Sequence, residues 1–92
     1  MKANYLICYD IKDEKRLTKI HKYLKGRCLK LQYSVFYGYL DWRELTEIKE
    51  QLSKLINDLE DDIRIYPLPS EPKVIVMGRG DRIPEGVHIF YK

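Results

Sequence analysis

The sequence predicts an α+β domain: one sheet with two helices on a single face. Three observations predict this class: short apolar runs of high strand propensity, two segments whose apolar residues recur at helical spacing, and the alternation of these two patterns along the chain. The chain has 92 residues, of which 45% are hydrophobic and 34% are charged. This composition is typical of a domain with one core, so we predict a single domain over residues 1–92.

The first predicted strand spans residues 4–10, a segment rich in Tyr, Leu and Ile. Asp13 is a suitable N-cap for a helix that follows. The apolar positions of this helix are Leu17, Ile20 and Leu24. Gly26 is expected to end the helix, because glycine tolerates the left-handed dihedral angles that are common just after a helix.

The next segment predicts a strand over residues 29–37, with Leu40 as its furthest limit. Asp41 and Glu44 resemble a capping box, which predicts a longer helix that is broken at Asp61 and Asp62. The apolar stripe predicted for this helix consists of Trp42, Leu45, Ile48, Leu52, Leu55, Ile56 and Leu59.

Three further strands are predicted over residues 63–68, 73–77 and 87–91. The prolines between residues 67 and 72 make that stretch a loop or a strand end, and glycines mark a loop over residues 78–86. We interpret the whole as the ferredoxin-like β-α-β-β-α-β plan, a four-stranded antiparallel sheet with two helices on one face, followed by an extra terminal strand.

Both sides of the first strand are apolar, which predicts a partner. Side chains alternate between the faces of a sheet, and here Tyr5, Ile7 and Tyr9 share one face while Leu6 and Cys8 share the other. Two helices cover only one face. We therefore expect a homodimer whose sheets pack face to face, with residues 78–92 and their terminal strand pairing with the sheet edge of the partner.

Positive charge is concentrated in the first third of the chain. The net charge is only +3, but the predicted first helix carries a row of cations on one side. Its members are Lys12, Lys15, Arg16, Lys19 and Lys22, and Arg27 and Lys30 extend the basic region. Such a row suits the sugar-phosphate backbone of RNA or duplex DNA, read by backbone and shape rather than by base sequence. A solvated helix face is the alternative.

Asp10 is the candidate catalytic residue, because it ends a central strand and lies among cations. In one interpretation it caps the following turn or pairs with Lys12 or Arg16. In the other, a two-fold axis brings two Asp10 carboxylates together, and like charges at close range need a proton or a divalent cation. Carboxylate oxygens suit Mg²⁺ or Mn²⁺, which polarises a phosphodiester and activates water. The sequence shows no second acidic ligand at an obvious spacing.

The remaining polar residues have simpler interpretations. Ser34 has no His and Asp partners for a nucleophilic role, and His21 is expected to be a partly buried spacer. His88 falls in the terminal strand, where an interface position is expected. Cys8 and Cys28 are expected to be small core residues rather than ligands of a Cys-His metal site. No apolar run suits a membrane span and the first residues do not resemble a signal peptide, so the expected location is the cytoplasm.

Two segments resemble a known family. "YLICYDI" followed by "DEKRLTKIHKYLKG", and then "RCLKLQYSVFYGYL", resemble the CRISPR-associated protein two family, the smaller of two near-universal spacer-acquisition proteins. The most specific parts are residues 9–11 and residues 32–36. The resemblance covers nearly the whole chain.

The resemblance implies a ferredoxin-like homodimer in which Asp10 of each subunit binds one divalent metal, Mg²⁺ or Mn²⁺, at the interface. It implies a metal-dependent endonuclease of antiviral defence that acts on single-stranded RNA or duplex DNA. Tyr9, Arg16, Ser34 and Phe36 match positions near that site. Many members have two consecutive arginines after the first strand, whereas here Leu17 follows Arg16, which predicts weaker nucleic-acid binding.

Four functions remain open from the sequence. The first is the endonuclease of spacer acquisition. The second is a non-catalytic adaptor, since members of the family also bridge dimers of the adaptation integrase and bind the pre-spacer duplex. The third is a toxin-like messenger-RNA nuclease on the same fold. The fourth, a small-molecule regulator, is disfavoured by the basic row and by the lack of a glycine-rich ligand loop.

Overall fold

The computed structural model of the protein describes residues 1–77 and the backbone of a strand at residues 88–91; the predicted loop at residues 78–86 lies outside the described residues. The elements are β1 (Ala3–Asp10), α1 (Glu14–Lys25), β2 (Leu29–Gln32), β3 (Val35–Leu40), α2 (Trp42–Leu55), β4 (Asp62–Pro67), β5 (Lys73–Val76) and β6 (His88–Tyr91). Of the described helices, none is long and apolar enough to cross a lipid bilayer.

The main sheet has the strand order β2-β3-β1-β4, with every neighbouring pair antiparallel. This order, with two helices on one face, confirms the predicted ferredoxin-like α+β fold. The prediction of a single strand over residues 29–37 is wrong. A two-residue turn at Tyr33 and Ser34 divides the segment into β2 and β3. Ser34 is the one turn-forming residue of the pair, and it is a weaker signal than glycine, proline or asparagine.

The assignment of residues 73–77 as a fourth strand of this sheet is also wrong, because β4 occupies that place beside β1. Instead β5 pairs in parallel with β6 in a separate two-stranded sheet. The prolines before β5 explain the separation, since they lack the N–H groups that a continued ladder requires. Pairing of the terminal strand with a second copy stays a prediction.

Both helices begin where the capping residues predict. The Asp13 side chain accepts a hydrogen bond from the Arg16 N–H at 3.0 Å. Asp41 and Glu44 form a complete capping box, with bonds of 2.8 and 3.0 Å. α1 ends before Gly26 as expected, but Gly26 has a φ of −77°, in the right-handed region. The predicted reason, a left-handed glycine, is therefore wrong.

α2 is shorter than its apolar stripe predicts. The helix ends at Leu55 because Ile56 takes an extended conformation. The next residues form a turn in which the N–H of Asn57 donates to Asp61 Oδ2 at 2.8 Å. Leu59 in this turn is 96% exposed and Trp42 at the first helical position is 72% exposed, so neither belongs to the core.

The core lies between the two helices and the sheet face that they cover. Its fully buried side chains are Phe36, Ile7, Ile20, Leu24 and Ile48, each of which contributes about 1.5–3 kcal/mol of burial free energy. Gly38 of β3 lies too close to its neighbours for a side chain. A Cβ at this position would lie 2.8 Å from Leu40 Cδ1 and 3.2 Å from Cys28 Sγ. Glycine at this position therefore lets β3 pack closely against Cys28, in the connection between α1 and β2.

The opposite face of the main sheet, which we call the helix-free face, carries the alternate residues. Leu6 lies opposite Tyr37 and Cys8 lies opposite Val35 on this face. Leu6, Cys8 and Val35 are only partly buried. One chain therefore presents apolar side chains on a face that its own helices do not cover, as the alternation in β1 predicts.

Candidate active site at the end of β1

Three chain segments meet at the carboxyl end of β1. β1 ends at Asp10, and α1 begins a few residues later at its N-cap Asp13. The turn between β2 and β3 lies alongside, because the N–H of Tyr9 donates to the Ser34 carbonyl at 3.1 Å. The opposite end of the sheet holds Leu40, which lies beside Ala3. The topology thus places Asp10, the start of the basic helix and the β2–β3 turn together.

Asp10 projects from the helix-free face with its carboxylate 67% exposed. The Lys12 ammonium donates to Asp10 Oδ2 at 3.0 Å, which confirms one of the two pairings that the sequence predicts. The alternative partner, Arg16, bonds elsewhere. An exposed pair of this kind contributes at most about 1 kcal/mol, so the carboxylate is readily available to another cation. The approach of two Asp10 residues stays a prediction.

A second carboxylate, which the sequence did not reveal, faces Asp10 across the sheet. Asp62 of β4 is the register partner of Asp10, and directly opposite residues have Cβ atoms roughly 4.5–5.5 Å apart. Each acid carries its own cation two residues further along: Lys12 for Asp10, and Arg64 for Asp62 at 3.0 Å. Fifty-two positions separate the two acids along the chain, so the spacing of acidic residues in the sequence did not indicate that they are neighbours. A divalent cation would relieve the repulsion on this rung.

Asp61 is the most heavily bonded carboxylate of this region. Its side chain has no exposed surface. It accepts from Arg16 Nε at 2.8 Å and Nη2 at 3.1 Å, from the Lys12 N–H at 3.0 Å and from the Asn57 N–H at 2.8 Å. The bonds from Arg16, which outweigh burial, hold the pKa of Asp61 well below its usual range. Asp61 therefore ties the β1–α1 connection, which follows Asp10 and includes Lys12, to the start of β4.

Arg16 is consequently engaged within the chain. Besides Asp61, its guanidinium donates to Glu60 Oε1 at 3.1 Å, and its side chain is only 24% exposed. The hydrogen bonds to Asp61 raise the pKa of Arg16 further, so it stays charged. Sequence reasoning placed Arg16 among the phosphate contacts. The structure gives it a bracing role, and its contact with phosphates stays a prediction.

The other predicted phosphate contacts are on the surface. Lys12, Lys15, Lys19 and Lys22 are exposed, and α1 as a whole has five Lys and Arg residues against one Glu. Arg27 is also exposed and stacks on the Tyr23 ring, 5.1 Å from its centroid. A row of exposed lysines thus starts beside Asp10 and runs away from it along α1; binding of nucleic acid by this row stays a prediction.

The other residues predicted near the site pack against the main chain at the end of β1 and at the β2–β3 turn. Phe36 is fully buried and stacks on Tyr9 with ring centroids 6.2 Å apart. The Tyr9 hydroxyl donates to the Tyr33 carbonyl at 3.4 Å and lies 3.3 Å from His21 Nδ1. Burial, with the nearby Lys30, lowers the pKa of His21, so the ring stays neutral. These side chains hold the β2–β3 turn against the end of β1.

The cysteines show no reactive environment. Both are free, and burial raises the pKa of Cys8 and raises that of Cys28 to about 11. Within the described part of the chain, no three His, Cys, Asp or Glu side chains are grouped so as to hold a metal ion. The oxygen donors present are Asp10 and, opposite it, Asp62. Such donors fit Mg²⁺, which is commonly held by one or two carboxylates and keeps several waters.

Comparison with known proteins identifies the family. The family model described as CRISPR associated protein Cas2 matches residues 3–74. The chain belongs to this family. The resemblance predicted from residues 9–11 and 32–36 is thereby confirmed.

Individual relatives and solved structures are similar to this chain over most of its length. One from Thermodesulfovibrio yellowstonii, named CRISPR-associated endoribonuclease Cas2 2, is 52% identical over 91 residues, which cover 99% of this chain and 100% of the relative. A crystal structure of a hypothetical protein from Thermus thermophilus has a TM-score of 0.79 and 36% identity, covering 87% of this chain and 95% of that one. A chain from a partial Cas6-RT-Cas1–Cas2 complex has a TM-score of 0.60 and 32% identity, covering 77% and 82%.

Proposed function

We propose that this Cas2 protein is a metal-dependent endonuclease that hydrolyses phosphodiester bonds of single-stranded RNA, duplex DNA or both, in spacer acquisition and antiviral defence. The observation that carries the proposal is the exposed Asp10 carboxylate, which lies at the end of a central strand where a row of exposed lysines begins. The names of relatives support the activity class, since the Thermodesulfovibrio yellowstonii protein is called an endoribonuclease.

The active unit in this proposal is a homodimer. Apolar side chains on the helix-free face are only partly buried, and β5 exposes Ile75 to 66% and the following Met77 to 72%. A second copy is the simplest cover for such a surface, because isologous packing satisfies both subunits with the same patch. Face-to-face packing about an axis near the strand ends brings one Asp10 from each chain to the same place.

Asp10 and its partner copy would hold one Mg²⁺ or Mn²⁺, with the Asp62 carboxylates adding negative charge beside it. The ion, when bound, polarises a phosphodiester oxygen and lowers the pKa of a bound water. The exposed lysines hold the phosphates on either side of the reacting group, and Lys12, which donates to Asp10 here, would be available for a phosphate with an ion held by Asp10. Asp61 and Arg16 keep the connection that follows Asp10 and includes Lys12 in place.

A second candidate function is a non-catalytic adaptor that binds duplex DNA and bridges dimers of the adaptation integrase. One observation favours it: a structure that this chain resembles is part of a complex with Cas1 and Cas2 chains. The same dimer and the same lysines serve this role. The two functions differ in whether Asp10 takes part in chemistry.

Cleavage assays distinguish the two functions. Labelled single-stranded RNA and duplex DNA are incubated with Mg²⁺ and either the wild type, Asp10→Asn or the control Asp58→Asn, which alters an exposed carboxylate in the α2–β4 turn. The endonuclease proposal expects cleavage by the wild type and the control, and a loss of at least a hundredfold in Asp10→Asn. Folded Asp10→Asn that cleaves as fast as the wild type contradicts it. If no variant cleaves but all bind duplex with a steep salt dependence, the adaptor is supported.

A further inference from the structure

An exposed aromatic ring lies beside the candidate active site without a structural reason. Tyr33 occupies the two-residue turn between β2 and β3, and its side chain is 72% exposed. Tyrosine is not among the residues that favour tight turns, and the ring makes no contribution to the core. The Lys30 ammonium lies over this ring, 5.8 Å from its centroid, so an exposed aromatic ring and a half-buried lysine lie side by side.

The backbone beneath Tyr33 is held on two sides. The Tyr9 hydroxyl donates to the Tyr33 carbonyl at 3.4 Å, and the Tyr9 N–H donates to the Ser34 carbonyl at 3.1 Å. The Tyr9 ring itself is buried and stacks on Phe36. A fixed turn that presents a free ring loses little conformational freedom when something binds, which favours a binding role.

The position of the turn indicates the chemistry of its ligand. Tyr33 follows the last residues of β2, and its turn is bonded to Tyr9, the residue before Asp10. Lys25 and Lys30 are close enough to His21, beneath the turn, to help lower its pKa. The neighbouring α1 carries five basic residues against one acidic residue. These surroundings favour a ligand that is a polyanion and also has flat apolar faces. A nucleic acid has both properties.

A second aromatic pair offers an internal comparison. Trp42 is also 72% exposed, and Lys49 lies over its ring at the same 5.8 Å. This pair is at the other end of the sheet, since Trp42 follows the end of β3, which lies beside the start of β1. Its helix, α2, carries three basic and three acidic residues. The two pairs match in exposure and geometry but differ in surrounding charge and in distance from Asp10.

We propose that Tyr33 and Lys30 form a stacking subsite for one unpaired nucleobase of a single-stranded nucleic acid whose backbone passes Asp10. The phenol ring stacks on the base, and Lys30 binds a neighbouring phosphate. Every base has a π-face, so the subsite accepts any base but requires it to be unstacked from a complementary strand. The inference rests on the proposed function, because that function is what places the nucleic-acid backbone beside Asp10. It adds that the protein binds single strands more tightly than duplex.

Binding measurements test this subsite without any cleavage. A fluorescein-labelled 12-nucleotide single-stranded RNA and a labelled duplex of the same length are titrated in EDTA with the wild type, Tyr33→Ala, Tyr33→Phe and the control Trp42→Ala. We expect Tyr33→Ala to weaken single-strand binding about tenfold and duplex binding less than twofold. Tyr33→Phe and Trp42→Ala should stay within twofold of the wild type for both ligands. A 2-aminopurine base in the RNA should be quenched by the wild type and much less by Tyr33→Ala.

Several results would overturn the proposal. If Tyr33→Ala binds single strands with the same affinity as the wild type, the subsite does not exist. If the variant loses affinity equally for single strand and duplex, the effect comes from charge or folding and not from stacking. A change in self-association, with single-strand affinity unchanged, assigns the turn to a protein contact instead. Absence of wild-type binding to single strands also contradicts it. Cleavage is not measured in this experiment. If the protein shows the expected binding pattern but has no nuclease activity, the stacking subsite is supported and only the proposed endonuclease function is contradicted.

Discussion

The two faces of the four-stranded sheet use the same strand in different ways. On the covered face, Ile7 is fully buried and Tyr9 is 6% exposed, because two helices lie over them. On the helix-free face, Leu6 and Cys8 are only partly buried and Asp10 is exposed. One face of β1 is therefore covered within a single chain, whereas the other carries Leu6 and Cys8, ends in the charged Asp10 and is not covered by the helices; we propose that a second copy covers it.

The largest expected effect is on the covered face. Ile7→Ala removes a fully buried side chain and leaves a cavity between β1 and the helices, so the free energy of unfolding should fall by about 2–5 kcal/mol. Urea denaturation followed by circular dichroism measures this loss, which should not depend on protein concentration. Leu59→Ala, at a residue 96% exposed, is the control and should change stability by less than about 0.5 kcal/mol. Equal effects of the two substitutions would contradict the described core.

The helix-free face should respond to a charge by losing its partner. Leu6→Asp places a carboxylate at the centre of the surface proposed to meet a second copy, where burial without a partner is unfavourable. We expect the dimer dissociation constant to rise at least a hundredfold while the circular dichroism spectrum keeps its native shape. Sedimentation velocity measures the association, and Gln51→Asp on the exposed side of α2 provides a charge-matched control. An unchanged dimer in Leu6→Asp would show that this face is not the interface.

Asp61→Asn should lower stability at neutral pH and change its dependence on acid. The folded-state pKa of Asp61 is depressed by Arg16 below the ordinary value of 3.8. The carboxylate therefore stabilises the fold fully above about pH 5 and loses this contribution as the pH falls below about 4. We expect a lower urea midpoint for the variant at pH 7, and a difference from the wild type that shrinks steadily between about pH 4 and pH 2.

The exposed Asp58→Asn is the matched control for that experiment, and its urea midpoint should follow the wild type at every pH. A gap between Asp61→Asn and the wild type that stays constant down to pH 2 would show that the Arg16 ion pair does not depress the pKa of Asp61. It would also remove the argument that this pair braces the connection after Asp10.

The smallest effect is expected for a single lysine of the basic row. Lys19→Ala removes one exposed cation of α1, and each phosphate contact contributes about 0.9 to the slope of log affinity against log salt for duplex DNA. The slope should therefore fall by about 1, with affinity reduced uniformly across sequences. Lys54→Ala on α2 is the control and should leave the slope unchanged. A loss that depends on base sequence would contradict a backbone contact.

The sequence predicted the two-faced strand correctly because alternation is a local signal. The ferredoxin-like plan and both helix N-caps were likewise readable from neighbouring residues, and Lys12 was one of several partners left open for Asp10. The β2–β3 turn was not readable, because Tyr33 is not a turn-forming residue, Ser34 is only a weak one, and residues of high strand propensity continue on both sides. Leu59 was wrongly given to α2 because the apolar spacing continues past the point where Ile56 leaves the helical conformation.

The contacts of Asp61 and Asp62 were beyond sequence reasoning for a different reason. Arg16 and Asp61 are 45 positions apart, and Asp10 and Asp62 are 52 apart. Only the antiparallel pairing of β1 with β4 brings these acids to the end of β1. The acidic pair at the start of β4 was visible in the sequence but was interpreted solely as the end of a helix, so its connection to Arg16 and Asp10 required the fold.

The most direct test of the account is the number of metal ions bound by the proposed dimer and the dependence of this number on Asp10. Mn²⁺ is titrated into the protein at pH 7.5, free Mn²⁺ is measured by electron paramagnetic resonance, and the mass of the complex is measured by sedimentation. The account predicts one tightly bound ion per two chains in the wild type and in Asp58→Asn, and its loss in dimeric, folded Asp10→Asn. Retention of the same ion with unchanged affinity in Asp10→Asn would contradict it.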